Sequence, residues 1–393
     1  MIAAGTGLVT GKRADEAALD AARDAMAASG VEHADLALVF TTAQAYPHGH
    51  ALLRAVRRVT GARIVLGVSA AGVITEKGEV EAVPAVAVLA AHLAGSLLAR
   101  PLIAAGRESL DAATGADLAE QAEPAVAEGG ALVLLPDAQN LRPRALLQGI
   151  AEALGPVPVL GAVAAGEPRF ELYQDDVTCG AVVGLALAGA QPVVGVGQGC
   201  EPIGEPYVVT RSDGHVVRAI AGRRPLEVLE EAIRAVPDYE RRLPQAGVFA
   251  GLAMNPARSP LGRGDFLVRN LAGVDRETGA VAVAEEVRVG QTIQFQIRDG
   301  RASRDDLSAM LDRVEIDLAG RRPAFGIYFN CAGRGRGLYG VPDHDLTLIR
   351  TRLGTWPLVG FFGNGEFAPV GGVNFFHNLT GVLAVVPQPR TDG

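Results

Sequence analysis

Three stretches of the chain share one pattern of apolar and polar positions. Near the N-terminus, ADLALVFTTAQAY is followed by ALLRAVRRVTG and then RIVLGVSAAG. Further along, GGALVLLPDAQN is followed by RALLQGIAEALG and VPVLGAVAAG. Toward the C-terminus, AFGIYFNCAGRGRG is followed by HDLTLIRTRLG and PLVGFFGNGE. Each reads as an apolar strand, a loop, a helix ending at glycine, a second apolar strand and a Gly-x-x-x-x-Gly turn. Short runs rich in Val, Ile, Leu and Phe predict sheet strands covered on at least one face. The glycine pairs are Gly67/Gly72, Gly161/Gly166 and Gly360/Gly365. Gly61, Gly155 and Gly354 stand where a helix end favours positive φ. A further apolar strand follows each turn: AVPAVAVLA, TCGAVVGLAL and HNLTGVLAVV.

Between the second and third stretches the pattern changes. Residues 206–222, PYVVTRSDGHVVRAIAG, predict a β-hairpin turning at Ser212-Asp213-Gly214. Pro225 then opens a helix with Leu226, Leu229, Ile233 and Val236 on one face. The Gly- and Pro-rich run 195–206 marks a transition between two halves. DFLVRNLAGVD, GAVAVAEEV and TIQFQIRDG alternate like an antiparallel meander. Ser303 and Asp306 suggest a capping box ahead of Leu307, Met310 and Leu311. The expected architecture is α/β: two lobes with mixed β-sheets flanked by helices, carrying internal strand–helix–strand–GxxxxG pseudo-repeats.

Length and charge narrow the possibilities. A chain of 393 residues is long enough for two or three domains at roughly 150 residues each. The net charge of −8 and the lack of a basic run argue against nucleic acid, whose phosphates supply most binding energy. They argue equally against anionic membrane surfaces. With 49% hydrophobic and 20% charged residues, a large core forms and global disorder is excluded. Three widely spaced cysteines, Cys179, Cys200 and Cys331, fit neither a disulfide framework nor a zinc pattern. A reducing, cytoplasmic setting is expected. The N-terminus lacks a signal-peptide pattern, and the longest apolar stretch, 83–105, is broken by two prolines, His92, Ser96 and Arg100. No membrane insertion is expected.

The richest candidate chemistry lies in the third stretch. Asn330-Cys331-Ala332-Gly333-Arg334-Gly335-Arg336-Gly337 follows a buried strand. Successive glycines let backbone N–H groups converge on an anion, and Arg334 and Arg336 each carry a fork suited to carboxylate or phosphate. Gly335, Gly337 and Gly340 formally match G-x-G-x-x-G. No helix can open inside the motif before Pro342, and the second strand lacks the acidic residue, so dinucleotide binding is rejected. Glu366, Asn374, His377 and Asn378 follow the third glycine turn, beginning at Gly365. A carboxylate near an Arg-Gly loop suits a zwitterion: Arg for its carboxylate, Glu for its ammonium.

Cys331 would be a nucleophile only if His344 or His377 lies beside it. His48 and His50 lack partners at metal-ligand spacing, and no metal site is expected. His92 and His215 are the candidates for axial haem ligation, without an attachment motif. No G-x-S-x-G, Walker A or H-E-x-x-H element is present.

FNCAGRGRGLYG and LVGFFGNGEFAPVGGVNFFHNLTGVLAVV resemble the C-terminal half of FIST domain proteins. ADLALVFTT with IVLGVSAAGVIT is similar to the N-terminal half. YVVTRSDGHVVRAIAGRRPLEVLEE and FLVRNLAGVDRETGAVAVAEEVRVGQTIQFQIRD are similar to the family's middle and C-terminal parts. The resemblance implies an N-terminal-like domain over 1–221 and a C-terminal-like domain over 222–393. It implies a sensory module of the kind found in bacterial and other signalling proteins, binding a small ligand such as an amino acid. Some members bind haem. No output domain accompanies the two halves, so a separate downstream signalling protein is the expected partner. The family-like motifs place ligand-binding residues at Asn330, Cys331, Gly333, Arg334, Gly335, Arg336, Gly365, Glu366, Asn374 and His377. The enzymatic alternative is Cys331-dependent acyl transfer or hydrolysis, and a haem sensor is the third reading.

Overall fold

The three stretches fold into repeats with one order of elements. The first contains β1 (Ala3–Thr10), α1 (Ala14–Ser29), β2 (Leu36–Thr42), α2 (Gly49–Thr60), β3 (Ile64–Ala70), β4 (Gly72–Thr75), β5 (Gly78–Glu81) and β6 (Ala85–His92). The second contains β7 (Leu98–Ala104), α3 (Ala112–Val126), β8 (Gly130–Pro136), α4 (Pro143–Leu154), β9 (Val159–Ala162), β10 (Glu171–Tyr173), β11 (Asp176–Thr178) and β12 (Val182–Ala188). The third opens with β13 (Val193–Gly197) and is then interrupted. The intervening elements are β14 (Glu201–Pro202), β15 (Tyr207–Asp213), β16 (Val216–Ile220), α5 (Pro225–Arg234), α6 (Tyr239–Arg242), β17 (Gly247–Ala253), β18 (Phe266–Val274), β19 (Val281–Val283) and β20 (Thr292–Arg298). The repeat resumes with α7 (Gly300–Leu318), β21 (Pro323–Cys331), α8 (Gly335–Tyr339), α9 (His344–Leu353), β22 (Leu358–Gly363), β23 (Glu366–Val370), β24 (Val373–His377) and β25 (Gly381–Pro387).

The structure is a computed structural model that describes residues 1–42, 49–95, 97–127, 129–189, 191–242, 244, 246–255 and 257–389. The chain divides into two units. One comprises residues 1–196, 310–376 and 380–393; the other comprises 197–309 and 377–379.

In the first unit each repeat builds a mixed six-stranded sheet of the same order: β1-β6-β2-β3-β10-β11, β7-β12-β8-β9-β23-β24 and β13-β25-β21-β22-β4-β5. The pairs β2/β3, β8/β9 and β21/β22 are parallel, each joined through a helix. The last two strands of every sheet come from a different repeat. The second repeat's hairpin completes the first sheet, the third's completes the second, and the first's completes the third. This cyclic exchange ties residues far apart in sequence, such as Val73 and Phe361. Apolar faces of all three sheets meet in one core, where the rings of Phe40 and Phe361 lie 4.7 Å apart. Helices cover the outer faces, as in α1 and α2 over Val39, Val65 and Val88.

The first glycine of each turn is fixed by close backbone approach. A Cβ on Gly67, Gly161 or Gly360 would meet the carbonyl oxygen of Val39, Leu134 or Tyr328 at 1.7, 1.8 and 2.1 Å. Each carbonyl belongs to the residue paired with that glycine across the parallel strands. Packing is thus a sufficient reason for these glycines. Gly360→Ala is expected to cost about 1–3 kcal/mol in urea unfolding, because the strands must separate. Gly337→Ala, where the added Cβ meets open space, should stay within about 0.5 kcal/mol.

The second unit is antiparallel. Strands run β20-β15-β16-β19-β18-β17, and β17 pairs back with β20, closing a barrel. Val209, Val217, Leu252 and Phe295 fill it, with Val228 and Leu229 of α5 packed alongside. Two expectations are corrected here. The meander ends at β19, because β20 pairs with β15 and β17. Helix α7 opens at Gly300, where Asp299 Oδ1 accepts the Ala302 N–H at 2.7 Å. Ser303 and Asp306 instead hold Gly199, through its carbonyl at 2.8 Å and its N–H at 2.7 Å.

Candidate functional site

Loops that follow parallel strands gather at one edge of a sheet, where ligands commonly bind. In the third repeat that edge is formed by the ends of β21 and β22. Cys331 pairs with Gly363 there, and Asn330 with Phe362. The Cys331 N–H donates to the Thr380 carbonyl at 3.0 Å, and the Ala332 N–H to Gly363 at 2.8 Å. The Thr380 N–H donates to Glu366 Oε2 at 3.1 Å. Cys331 and Glu366 are therefore linked through one residue, and Glu366 is fully buried.

Past Cys331 the loop surfaces at Ala332 and Gly333, then Arg334 turns inward. Its Nε donates to Asp345 Oδ2 at 2.9 Å and its Nη2 to Tyr339 Oη at 2.8 Å. Asp345 Oδ2 also accepts from Tyr328 Oη at 2.9 Å and Asn330 Nδ2 at 3.3 Å. His344 Nδ1 lies 3.2 Å from Asp345 Oδ1, and its ring stacks on Tyr339 at 3.6 Å. The Arg334 and Asp345 side chains are 0% and 1% exposed. Burial alone would raise the Asp345 pKa. The Arg334 charge and the converging hydrogen bonds overcome it and hold the carboxyl well below the usual range. Burial, then the Asp345 charge, pushes the Tyr328 hydroxyl upward.

A second carboxyl joins from the first repeat's hairpin. Glu79 Oε1 accepts the Leu346 N–H in the first turn of α9 at 2.9 Å. The Glu79 N–H donates to Asp343 Oδ1 at 2.6 Å. Burial, reinforced by the Asp345 charge, pushes Glu79 up to about 8. Three buried polar atoms of this cluster have no hydrogen-bond partner among the described residues: Arg334 Nη1, Asn330 Oδ1 and Glu79 Oε2.

The remaining candidate residues are spread more widely. The expectation that no helix opens before Pro342 is corrected, since the short α8 begins at Gly335 inside the glycine motif. Gly335 has φ 66°, and a Cβ there would meet the Glu81 carboxylate at 2.6 Å. The Arg336 N–H donates to Glu81 Oε1 at 2.9 Å. One amide of the loop expected to bind an external anion is thus taken by the chain's own carboxylate, while the Arg336 side chain is exposed. Gly365 has φ 87° and is crowded by the Phe376 ring. Asn374 accepts from the Val159 N–H at 2.9 Å and donates to the Val157 carbonyl at 2.8 Å, pinning β24 to the start of β9. His377 ends β24, is buried, and groups with the barrel unit. Cys331 is half-buried, and its Sγ accepts the Gly333 N–H at 3.4 Å.

Sequence reasoning passed over Asp345, Glu79 and Glu81. An acid in a helix's first turn reads as ordinary dipole compensation, which hides Asp345. Glu79 and Glu81 reach the site only through the hairpin exchange, which leaves no local signal.

Among the described residues, no group of three or more His, Cys, Asp or Glu is placed to hold a metal. His48 lies outside the described residues, and His50 is exposed. His92 pairs with Asp35 at 2.9 Å beside a cavity of about 580 Å³ lined by Glu32, His33, Asp35 and Arg63. His215 is exposed in its hairpin turn. No helix among the described residues is long and apolar enough to cross a membrane.

The chain matches the FIST N domain over residues 35–223 and the FIST C domain over residues 225–369. An uncharacterized protein of Mycobacterium tuberculosis (strain CDC 1551 / Oshkosh) is 40% identical over 257 residues, 64% of this chain and 67% of that protein. An uncharacterized protein of Mycobacterium bovis is 34% identical over 386 residues, 97% of this chain and 98% of its own length.

Proposed function

The chain belongs to the FIST family, and on that premise we propose that it senses an amino acid or other small carboxylate at the ends of β21 and β22. FIST domains are associated with signal transduction and small-ligand sensing. Arg334 holds the ligand's anionic group, and Glu366 its cationic one. Asn330 Oδ1 supplies a second acceptor. Because Glu81 takes the Arg336 amide and brings a negative charge to the loop, the anion is placed against the Arg334 guanidinium rather than on the loop amides. The signal leaves through a separate partner protein, in the cytoplasm.

The observation that carries this reading is the buried Arg334 Nη1, which has no hydrogen-bond partner among the described residues. A buried donor left unmet costs about 1–3 kcal/mol, more when charged. A ligand carboxylate oxygen would meet it and be held by a charge-assisted bond.

The test is a thermal-shift screen against amino acids, carboxylates, nucleotides and haem. A ligand specific to the folded state adds about 2.7 kcal/mol at 100 times its Kd. An amino acid or carboxylate is expected to raise the melting temperature. Arg334→Lys keeps a cation beside Asp345 but leaves one nitrogen in place of three, so none remains for the ligand, and should abolish the response. Glu366→Gln should do so only for zwitterions. If both variants respond like the wild type, the ligand binds elsewhere.

A further inference from the structure

The repeats place two glutamates in one structural position. Glu171 pairs with Val68, one residue past Gly67, and Glu366 pairs with Ala162, one residue past Gly161. Both are fully buried. The Oε2 of each accepts from the N–H at the mouth of its repeat's last strand, that of Ala181 at 3.4 Å and that of Thr380 at 3.1 Å. In the first repeat the same position, paired with Phe361 one residue past Gly360, is Val73. The corresponding N–H, that of Ala85, is met by Thr42 Oγ1 at 2.9 Å. A threonine therefore satisfies this backbone group without burying a carboxyl. Glu171 carries a burial cost that the fold has a way to avoid.

Glu171 has a second oxygen. Its Oε1 is buried and has no hydrogen-bond partner among the described residues. Asp137, directly after β8, is 2% exposed. Its Oδ1 accepts the Gln139 N–H at 2.7 Å and lies 3.4 Å from Arg169 Nε, and its Oδ2 accepts the Gly180 N–H at 3.1 Å. Burial first, then the Asp137 charge, pushes Glu171 up to about 8. Half-buried Arg169 and exposed Cys179 flank the two acids, and the Cys179 Sγ donates to the Arg169 carbonyl at 3.4 Å.

We infer that Glu171 and Asp137 form a second ligand site, in the second repeat, for a small primary ammonium group. A cation seated there meets the open Glu171 oxygen and relieves the repulsion between two buried carboxyls. Three N–H donors suit an acceptor-only pair. A metal ion is disfavoured, because no group of three or more ligating side chains is placed for one among the described residues. The third repeat sets Cys331 where the second has Asp137, each one residue past the strand position paired with the mouth of the last strand. The two sites therefore differ in charge. This inference does not depend on what binds at Arg334.

The experiment is thermal unfolding of the full chain at pH 8.5, titrated with methylammonium chloride against sodium chloride at equal ionic strength, so that screening cancels. The expected result is a saturable rise in melting temperature with methylammonium. Glu171→Gln should abolish it, and Asp137→Asn should weaken the apparent affinity at least about tenfold, the equivalent of about 1.4 kcal/mol. No rise over sodium chloride in the wild type would overturn the inference, as would an equal rise in Glu171→Gln. Should Glu171→Gln fail to fold, unchanged affinity in Asp137→Asn would overturn it.

Discussion

Asp345→Ala is expected to destabilise the protein by about 3–5 kcal/mol in urea unfolding, the cost typical of removing one partner of a buried ion pair. Arg334 cannot escape by losing its proton, since guanidinium stays charged in proteins. The substitution would strand that charge at 0% side-chain exposure. It would also remove the acceptor used by the Tyr328 hydroxyl and the Asn330 amide. Arg334→Ala should cost a similar amount, by leaving the Asp345 carboxylate buried without its counter-ion. Replacing both, as Arg334→Met with Asp345→Leu, should recover the part of the loss due to the stranded charge, while Tyr328 and Asn330 still lack their acceptor. A loss below about 1 kcal/mol for Asp345→Ala would mean that the pair does not organise the site. The same reasoning makes Arg334→Ala a poor probe of ligand binding and Arg334→Lys a better one.

The second large effect is a loss of stability with rising pH. Glu79 and Glu171 are both pushed up to about 8, first by burial and then by the neighbouring acids Asp345 and Asp137. An unfolded glutamate titrates near 4.3. The unfolded chain therefore releases these two protons first, while the folded chain still holds them. Their stabilising effect is complete below about pH 4 and is lost as the pH rises to about 8, by up to about 5 kcal/mol for each group. Asp345 acts in the opposite sense. Its contribution is present above the ordinary carboxyl range and is lost as the pH falls through its lowered value. Melting temperatures of the wild type should fall between pH 5 and pH 9. Glu79→Gln and Glu171→Gln should melt higher than the wild type at pH 9 and gain nothing at pH 5. A flat wild-type profile over that range would refute the assignment of these two protons.

The sequence makes the strand–helix–strand units legible because their strands are covered throughout. β2, β3 and β8 are buried at every position, so uninterrupted apolar runs mark them. Pro225 marks the start of α5 for an equally local reason, its fixed φ. Pairing partners leave no such mark. The hairpin of β4 and β5 joins a strand nearly three hundred positions away, and its short, mixed sequence does not name that strand. The closure of the barrel by β17 and β20 is likewise a long-range event.

The candidate site is legible in part for the same reasons. Gly335 and Gly365 do adopt positive φ, which the glycine pattern suggests. The direction of Arg334 is not readable, since it depends on Asp345, which lies eleven residues on in α9 yet accepts its Nε–H at 2.9 Å. Asn374 illustrates the opposite case. Its position after the third glycine turn suggests a ligand contact, yet both ends of its amide are taken by the backbone of Val157 and Val159.

The most direct measurement is a crystal structure of the protein soaked with whichever amino acid or small carboxylate raises its melting temperature most. The predicted result is a ligand carboxylate within hydrogen-bond distance of Arg334 Nη1, with Asp345 still bonded to Nε. A ligand seated elsewhere, with the surroundings of Arg334 Nη1 unchanged, would contradict it.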